Sequence, residues 1–209
     1  MPNSTCTSLS ISERKTSPGD WRAFSCTLVL QRYSRLVIDC NRPPGTAQSI
    51  PVCSGGIDIP GNAGLAEADR IQREREIFAP YAAACRDAIA RPHIRFAFSI
   101  HSFTPCLQGE ARPWDIAFLF RSPYSRAARL ADLACDMFEG CTVGRNEPYA
   151  IEDGTDWFIP VCAEPRQIPH CLIEVRNDHL ETDAGCDLWG DRLARLLRTF
   201  MEECDDAHA

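Results

Sequence analysis

The run Ile94-Arg95-Phe96-Ala97-Phe98-Ser99-Ile100-His101-Ser102-Phe103-Thr104-Pro105 constrains this chain more than any other stretch. Apart from Arg95, its first seven residues are apolar or small, and Arg91-Pro92 ends whatever precedes them. A short apolar run bounded by proline reads as a strand buried on both faces, the kind found inside a parallel sheet. His101 then falls where the strand gives way to a loop, with Ser102, Thr104 and Pro105 as turn residues. The carboxyl ends of strands are where open α/β sheets bind ligands and metals. A lone histidine there has a plain structural reading too, as a hydrogen-bonded surface side chain, so the rest of the chain has to decide.

Elsewhere strands alternate with helices. Residues 1–20 are mostly Ser, Thr, Pro and charge and read as a disordered leader, with a single domain over residues 21–209. Short strands are expected over 27–30 and 33–39, the second with Leu36-Val37-Ile38 as its buried core. Residues 48–62, rich in Gly, Pro and Ser, read as an irregular excursion. A helix over 65–90 carries a charged face (Glu67, Asp69, Arg70, Arg73, Glu74, Arg75), and Pro80 should kink it near Phe78. A strand follows over 115–120, then a helix over 123–138 with Ser122 as its cap and Gly140 as its stop. A strand end near Thr142, a short strand over 157–161 and a buried strand over 170–175 come next. The last helix, over 184–202, turns Leu188, Leu193, Leu196, Leu197 and Phe200 inward. The alternation implies an α/β sheet covered on both faces.

The net charge of −7 and the lack of a basic stripe argue against nucleic acid as a partner. No apolar run approaches the ~20 residues that span a membrane, and no secretory signal is visible, which points to the cytoplasm. Lys15 is the only lysine, so nearly all the positive charge sits on planar guanidinium groups suited to carboxylates. Twelve cysteines contain no Cys-x-x-Cys pair. Scattered through presumed core segments (Cys40, Cys85, Cys135, Cys171), they read as small buried hydrophobes rather than as a disulfide or zinc framework. A thiol enzyme built on Cys106 or Cys162 has no motif behind it.

Pooled, the polar residues at strand ends are Asp39, Asn41, Arg42, His101, Arg112, Glu174 and Arg176. A neutral imidazole can hold zinc, and a carboxylate beside a zinc-bound water can act as general base. Arginines alongside can grip a substrate carboxylate or stabilise an oxyanion. That outlines metal-assisted hydrolysis of an amide in a small anionic substrate. Each cluster also has a structural reading. Glu174 and Arg176 can form an ion pair at a sheet end, and Arg112-Pro113-Trp114 a packed turn with a cation–π contact.

Seven runs, in order, resemble the N-formylglutamate amidohydrolase family: Tyr33-Ser34-Arg35-Leu36-Val37-Ile38-Asp39-Cys40-Asn41-Arg42-Pro43-Pro44, Ile59-Pro60-Gly61-Asn62, Pro80-Tyr81, Ile100-His101-Ser102-Phe103-Thr104-Pro105, Arg112-Pro113-Trp114, Asn146-Glu147-Pro148-Tyr149 and Ile173-Glu174-Val175-Arg176-Asn177-Asp178. The resemblance implies a zinc-carboxypeptidase-like fold, a three-layer α/β/α sandwich around a mixed, mostly parallel sheet. It implies zinc-dependent hydrolysis of N-formyl-L-glutamate, or of a related N-acylated acidic amino acid, in amino-acid catabolism and histidine degradation. By the same likeness His101 matches a zinc ligand and Glu174 the general base. Asn41 and Arg42 match the pair that holds the substrate's carboxylate and carbonyl oxygen, with Arg112 and Arg176 as contacts either to the substrate or to the residues that hold it.

The family pattern also carries an Asp-His-Ala strand end and a His-x-x-x-Asp segment upstream of the Tyr33 run, which supply the other zinc ligands. Here the Ser/Thr-rich leader stands in that place and no histidine precedes His93. Ala82 and Cys162 stand where the family usually has histidine, and His93, His170 and His179 have no motif support as replacements. Two readings stay open: an amidohydrolase lacking the family's N-terminal metal-binding unit, or a non-catalytic relative that binds an acidic small molecule or a protein.

Overall fold

A computed structural model of the chain describes residues 7–12, 25–122 and 125–206, with side chains for 26–122 and 125–205. Among the described residues ten strands form, in chain order β1 (Thr7–Ser12), β2 (Ser25–Leu30), β3 (Cys53–Ser54), β4 (Ile57–Asp58), β5 (Phe96–Phe103), β6 (Cys106–Leu107), β7 (Glu110–Ala111), β8 (Ile116–Leu119), β9 (Val143–Arg145) and β10 (His170–Arg176). The α-helices are α1 (Glu67–Arg73), α2 (Ala79–Ala90), α3 (Ala127–Met137) and α4 (Asp183–Asp206). Six strands make one mixed sheet in the order β2-β1-β5-β10-β8-β9, while β3-β4 and β6-β7 are separate two-stranded ribbons. Across β5, β10, β8 and β9, two of the three neighbouring pairs are parallel; β1 and β2 add antiparallel pairs at one edge.

Side chains along the central strands alternate between two apolar clusters, as the period of two requires. Phe96, Phe98, Ile116, Phe118, Cys171, Ile173 and Val175 enter the first, covered by Leu130 and Ala134 of α3 and by Trp189, Leu193, Leu196, Leu197 and Phe200 of α4. The Phe200 ring meets those of Phe96 and Phe98 edge-on, with centroids 6.1 and 6.2 Å away. Ala97, Ala117, Leu119 and Leu172 enter the second cluster with Tyr81, Ala82, Cys85 and Ile89 of α2, with Trp157, Phe158 and Ile159, and with Ile38, Cys40 and Ile50 from loops. The two alanines leave volume on this face of the sheet, and the polar site is built there.

Several elements differ from the sequence expectation, each for a local reason. Within the expected leader, Thr7–Ser12 is described and forms β1; Leu9 and Ile11 alternate with serines, a period of two hidden by the polar composition. The rest of that leader lies outside the described residues. The segment 33–39 is a turn, not a strand. Two of its carbonyls are taken by side chains instead of a ladder: Asn62 Nδ2 donates to Leu36 O at 2.8 Å and Arg73 donates to Val37 O at 2.8 Å. Asn62 also reaches Pro51 O and accepts from Arg73, so it ties two loops to the start of the helical region.

The helix over 65–90 divides as the proline implies: a π-helical turn, Glu74–Phe78, separates α1 from α2, and Pro80 sits in the first turn of α2, where no N–H is required. Residues expected as a strand over 157–161 are helical instead, with a π turn over Ile159–Ala163; a short apolar run does not distinguish the two. Helix α3 begins at Ala127, whose N–H donates to Ser125 Oγ, rather than at residue 123, which lies outside the described residues. Leu188 is exposed, whereas Leu193, Leu196, Leu197 and Phe200 are buried. Cys40, Cys85, Cys162 and Cys171 are buried, and Cys135 is exposed. Among the described residues no helix is long and apolar enough to cross a membrane.

Candidate active site

Glu174 in β10 has His101 of β5 as its Cα partner on one side and Ala117 of β8 on the other. Partners across a ladder present their side chains to one face. Two residues on from Leu172, that face is the one with the small side chains. His101 therefore lies inside β5 rather than in the loop beyond it, because the strand continues to Phe103.

The Glu174 side chain is 4% exposed. Its Oε1 accepts from the Tyr149 hydroxyl at 2.8 Å, while Oε2 is buried with no partner among the described atoms. Burial raises the carboxyl to about 7; the Tyr149 hydrogen bond and the charges of Arg35 and Arg42 act against that rise. His101 Nε2 lies 2.8 Å from Ser99 Oγ. Burial lowers its imidazole to about 4, with Asp39 opposing and Arg35 and Arg42 assisting, so the ring is neutral at pH 7.

Tyr149 also lines an open cleft of about 470 Å³, together with Arg35, Arg42, Gln48, Glu152 and Asp156, among others. That volume suits a small molecule. Arg35 pairs with Asp39 at 2.7 Å. Arg42 donates to Thr155 O at 2.6 Å and lies 3.4 Å from Asp156 Oδ1. Asn41 is buried and occupied at both ends: Nδ2 donates to Asp156 at 3.1 Å, and Oδ1 accepts from Phe158 N at 3.0 Å. It fixes the 152–158 loop against the Asp39 turn and so aims Arg42 and Asp156. Asp156 is itself shifted upward by burial and takes the Glu152 N–H at 3.1 Å.

Of the residues singled out from sequence, Arg42 lines the cleft, together with Arg35, Tyr149 and Asp156, to which the sequence reading gave no role; Tyr149 links it to Glu174 and so to the ladder partner His101, and Asn41 reaches it through Asp156. Arg112 stacks on Tyr149, its guanidinium 5.7 Å from the ring centroid. Arg176 is placed otherwise: it binds Asp178 at 2.8 Å, Asp115 at 3.1 Å and the carbonyls of Pro113 and Trp114. It clasps the end of β10 to the start of β8, so the Glu174–Arg176 ion pair read from sequence does not form. Arg35 and Tyr149 stood inside two of the seven runs, where position in a run was the only available signal.

A catalytic zinc needs three protein donors and an open position. Among the described residues no group of three His, Cys, Asp or Glu side chains is arranged to hold a metal ion. Ala82 has no donor atom, and the Cys162 thiol is buried in the second cluster and pushed up to about 11 by that burial. His101 and Glu174 alone do not make such a set, so the described residues do not fit a catalytic zinc.

A mixed α/β sheet thus carries a buried carboxylate and histidine, with Tyr149 connecting the carboxylate to an arginine-lined cleft of small-molecule size. The family model described as N-formylglutamate amidohydrolase matches residues 19–180, and the chain belongs to that family. A crystal structure of a gene product from Agrobacterium tumefaciens matches with 30% identity and a TM-score of 0.72, covering 86% of this chain and 72% of that one. The crystal structure of N-formylglutamate amidohydrolase from Ralstonia eutropha JMP134 matches with 20% identity and a TM-score of 0.52 over 79% of this chain and 72% of that one, a likeness of fold. The comparison with curated proteins finds no match.

Proposed function

We propose that the cleft takes a small N-acylated acidic amino acid, N-formyl-L-glutamate first among them, and that the chain hydrolyses its amide with Glu174 as general base. The observation that carries this reading is the placement of Glu174: a buried carboxylate with one unpartnered oxygen, its ionisation raised by burial, paired across the ladder with His101 and bonded to Tyr149, which lines the cleft with Arg35 and Arg42. A base whose pKa lies near the working pH combines available ionised form with proton affinity. Arg35 and Arg42 meet the substrate's carboxylates, and charge developing on the acyl oxygen is stabilised by the same cationic wall. Asn41 acts through Arg42 and Asp156 rather than on the ligand. The two apolar clusters, one on each side of the sheet, support a three-layer sandwich as the frame.

The second reading, a non-catalytic relative that binds the same acidic ligand, is favoured by Ala82 and by the protonated Cys162. Formate release from N-formyl-L-glutamate by the purified chain, measured with zinc added and with chelator, separates the two. Turnover that is lost in Glu174→Gln establishes hydrolysis. Calorimetric binding of N-formyl-L-glutamate without turnover, from folded protein, leaves the binding role alone; neither binding nor turnover sinks both.

A further inference from the structure

Tyr149 has no role in the chemistry described so far, yet it is fixed at more than one point. Its hydroxyl donates to Glu174 Oε1 at 2.8 Å, and Arg112 sits over its ring with the guanidinium carbon 5.7 Å from the centroid. Three residues earlier, Asn146 anchors the loop. Its N–H donates to Phe118 O at 3.0 Å and its Oδ1 accepts from Phe120 N at 2.8 Å, extending the bonding of β8 by one side chain. Asn146 holds a left-handed φ of 53°, a conformation asparagine tolerates better than most residues. Tyr149 also lines the cleft, so one side chain spans from the ligand space to the buried carboxylate.

We propose that Tyr149 is the positioning residue of Glu174: its hydroxyl takes up Oε1 and leaves Oε2, buried and without a partner among the described atoms, as the oxygen free to take a proton. This deepens the functional reading above and rests on it. A carboxylate with both oxygens unbonded can rotate and present either; one held by a phenol presents a defined oxygen. The phenol keeps its proton at working pH, because burial and the adjacent Glu174 charge hold its ionisation far above the ordinary range. Arg112 acts on the ring, not on the hydroxyl, and holds Tyr149 across the site. That assigns Arg112 a task one step removed from the ligand.

The test uses the full chain with 13C-labelled glutamate carboxyls, Glu174 being identified by the signal that disappears in Glu174→Gln. In wild type that signal follows the titration of Glu174 with the Tyr149 hydrogen bond in place. Tyr149→Phe keeps the ring and removes one charge-assisted hydrogen bond, and the midpoint rises by about one pH unit. Arg112→Leu removes the cation above the ring and leaves the hydrogen bond, so the midpoint moves by less than about half a unit. Where formate release is measurable, Tyr149→Phe lowers kcat more than it changes KM, and the ascending limb of the pH profile moves upward with the carboxyl titration. An unchanged Glu174 midpoint in folded Tyr149→Phe overturns the proposal. The titration is read without substrate, so a chain that never hydrolyses N-formyl-L-glutamate sinks the hydrolysis reading and leaves the Tyr149 assignment to stand or fall on the titration.

Discussion

Glu174 and His101 face each other across the parallel strands β10 and β5, and burial displaces their ionisations in opposite directions, the carboxyl up to about 7 and the imidazole down to about 4. Between those values both side chains are uncharged in the folded protein. A pair of this kind avoids burying a net charge in the interior of the sheet. It also places a titration at neutral pH where a base is wanted.

That displacement has a consequence for stability. Glu174 keeps its proton to about 7 when folded but loses it near the ordinary carboxylate value when unfolded. Its contribution is therefore present at low pH and is lost as pH rises through about 7. His101 behaves inversely: present above its ordinary value of 6.5, its contribution is lost as pH falls towards about 4. In the shared window the two slopes oppose each other. Glu174→Gln removes one of them, so between pH 4.5 and 6.5 the variant gains on the order of 1 kcal/mol of stability per pH unit relative to wild type. Urea unfolding at several pH values checks this. A wild-type-to-variant difference that stays flat from pH 4 to pH 8 sinks the burial argument.

Arg42 and Arg176 separate by what their guanidinium groups hold. Arg42 faces the cleft while bonding to Thr155 O and Asp156; Arg176 closes the sheet end through Asp115, Asp178 and two carbonyls. Arg42→Gln should weaken binding of N-formyl-L-glutamate more than about tenfold, the worth of a charge-assisted contact. Arg176→Gln should leave binding within about twofold and lower stability by about 1–3 kcal/mol. Calorimetry with urea unfolding of both variants decides it; the reverse pattern would return Arg176 to the ligand.

Asn41 is expected to matter through structure. Replacement by alanine strips Phe158 N–H of its acceptor and Asp156 of a donor, both in buried surroundings. The cost is about 2–3 kcal/mol of stability. Ligand affinity falls with it, because the loop that holds Arg42 is released. An Asn41→Ala protein with wild-type stability and abolished binding would instead put Asn41 on the ligand.

The sequence carried the sheet's centre plainly and its margins poorly. β5 and β10 are strings of apolar residues too short for a helix and too regular for a loop, so His101 and Glu174 were placed near each other before any register was known. The register itself, which makes them partners, is a property of two strands over sixty residues apart and has no local trace. Leu36-Val37-Ile38 looked like a strand because its apolar content is visible, whereas the Asn62 and Arg73 donors that replace a ladder come from elsewhere in the chain. Trp157-Phe158-Ile159 failed for the complementary reason: burial makes the run apolar whichever way the backbone turns. Tyr149 was legible as part of a run and illegible as a partner of Glu174, since a hydrogen bond across 25 residues leaves no periodicity behind.

The last prediction concerns Cys162, the thiol nearest in position to a donor that the family resemblance leads one to expect. It lies in the π turn Ile159–Ala163, packed into the second cluster, with its ionisation raised to about 11 against a modest opposing pull from Arg86. A thiol binds a metal as thiolate, and about four pH units of unfavourable deprotonation at pH 7 cost on the order of 5 kcal/mol before any ligand bond is made. A single imidazole and one carboxylate offer too little to offset that. Cobalt(II) added to the purified chain should therefore give no thiolate-to-metal charge-transfer absorption, and Cys162→Ser should leave the spectrum, and the difference zinc makes to the melting temperature, unchanged. A charge-transfer band that vanishes in Cys162→Ser would mean that the helix α2 and π-turn region rearranges to complete a metal site, and the zinc-free account of the cleft would fall with it.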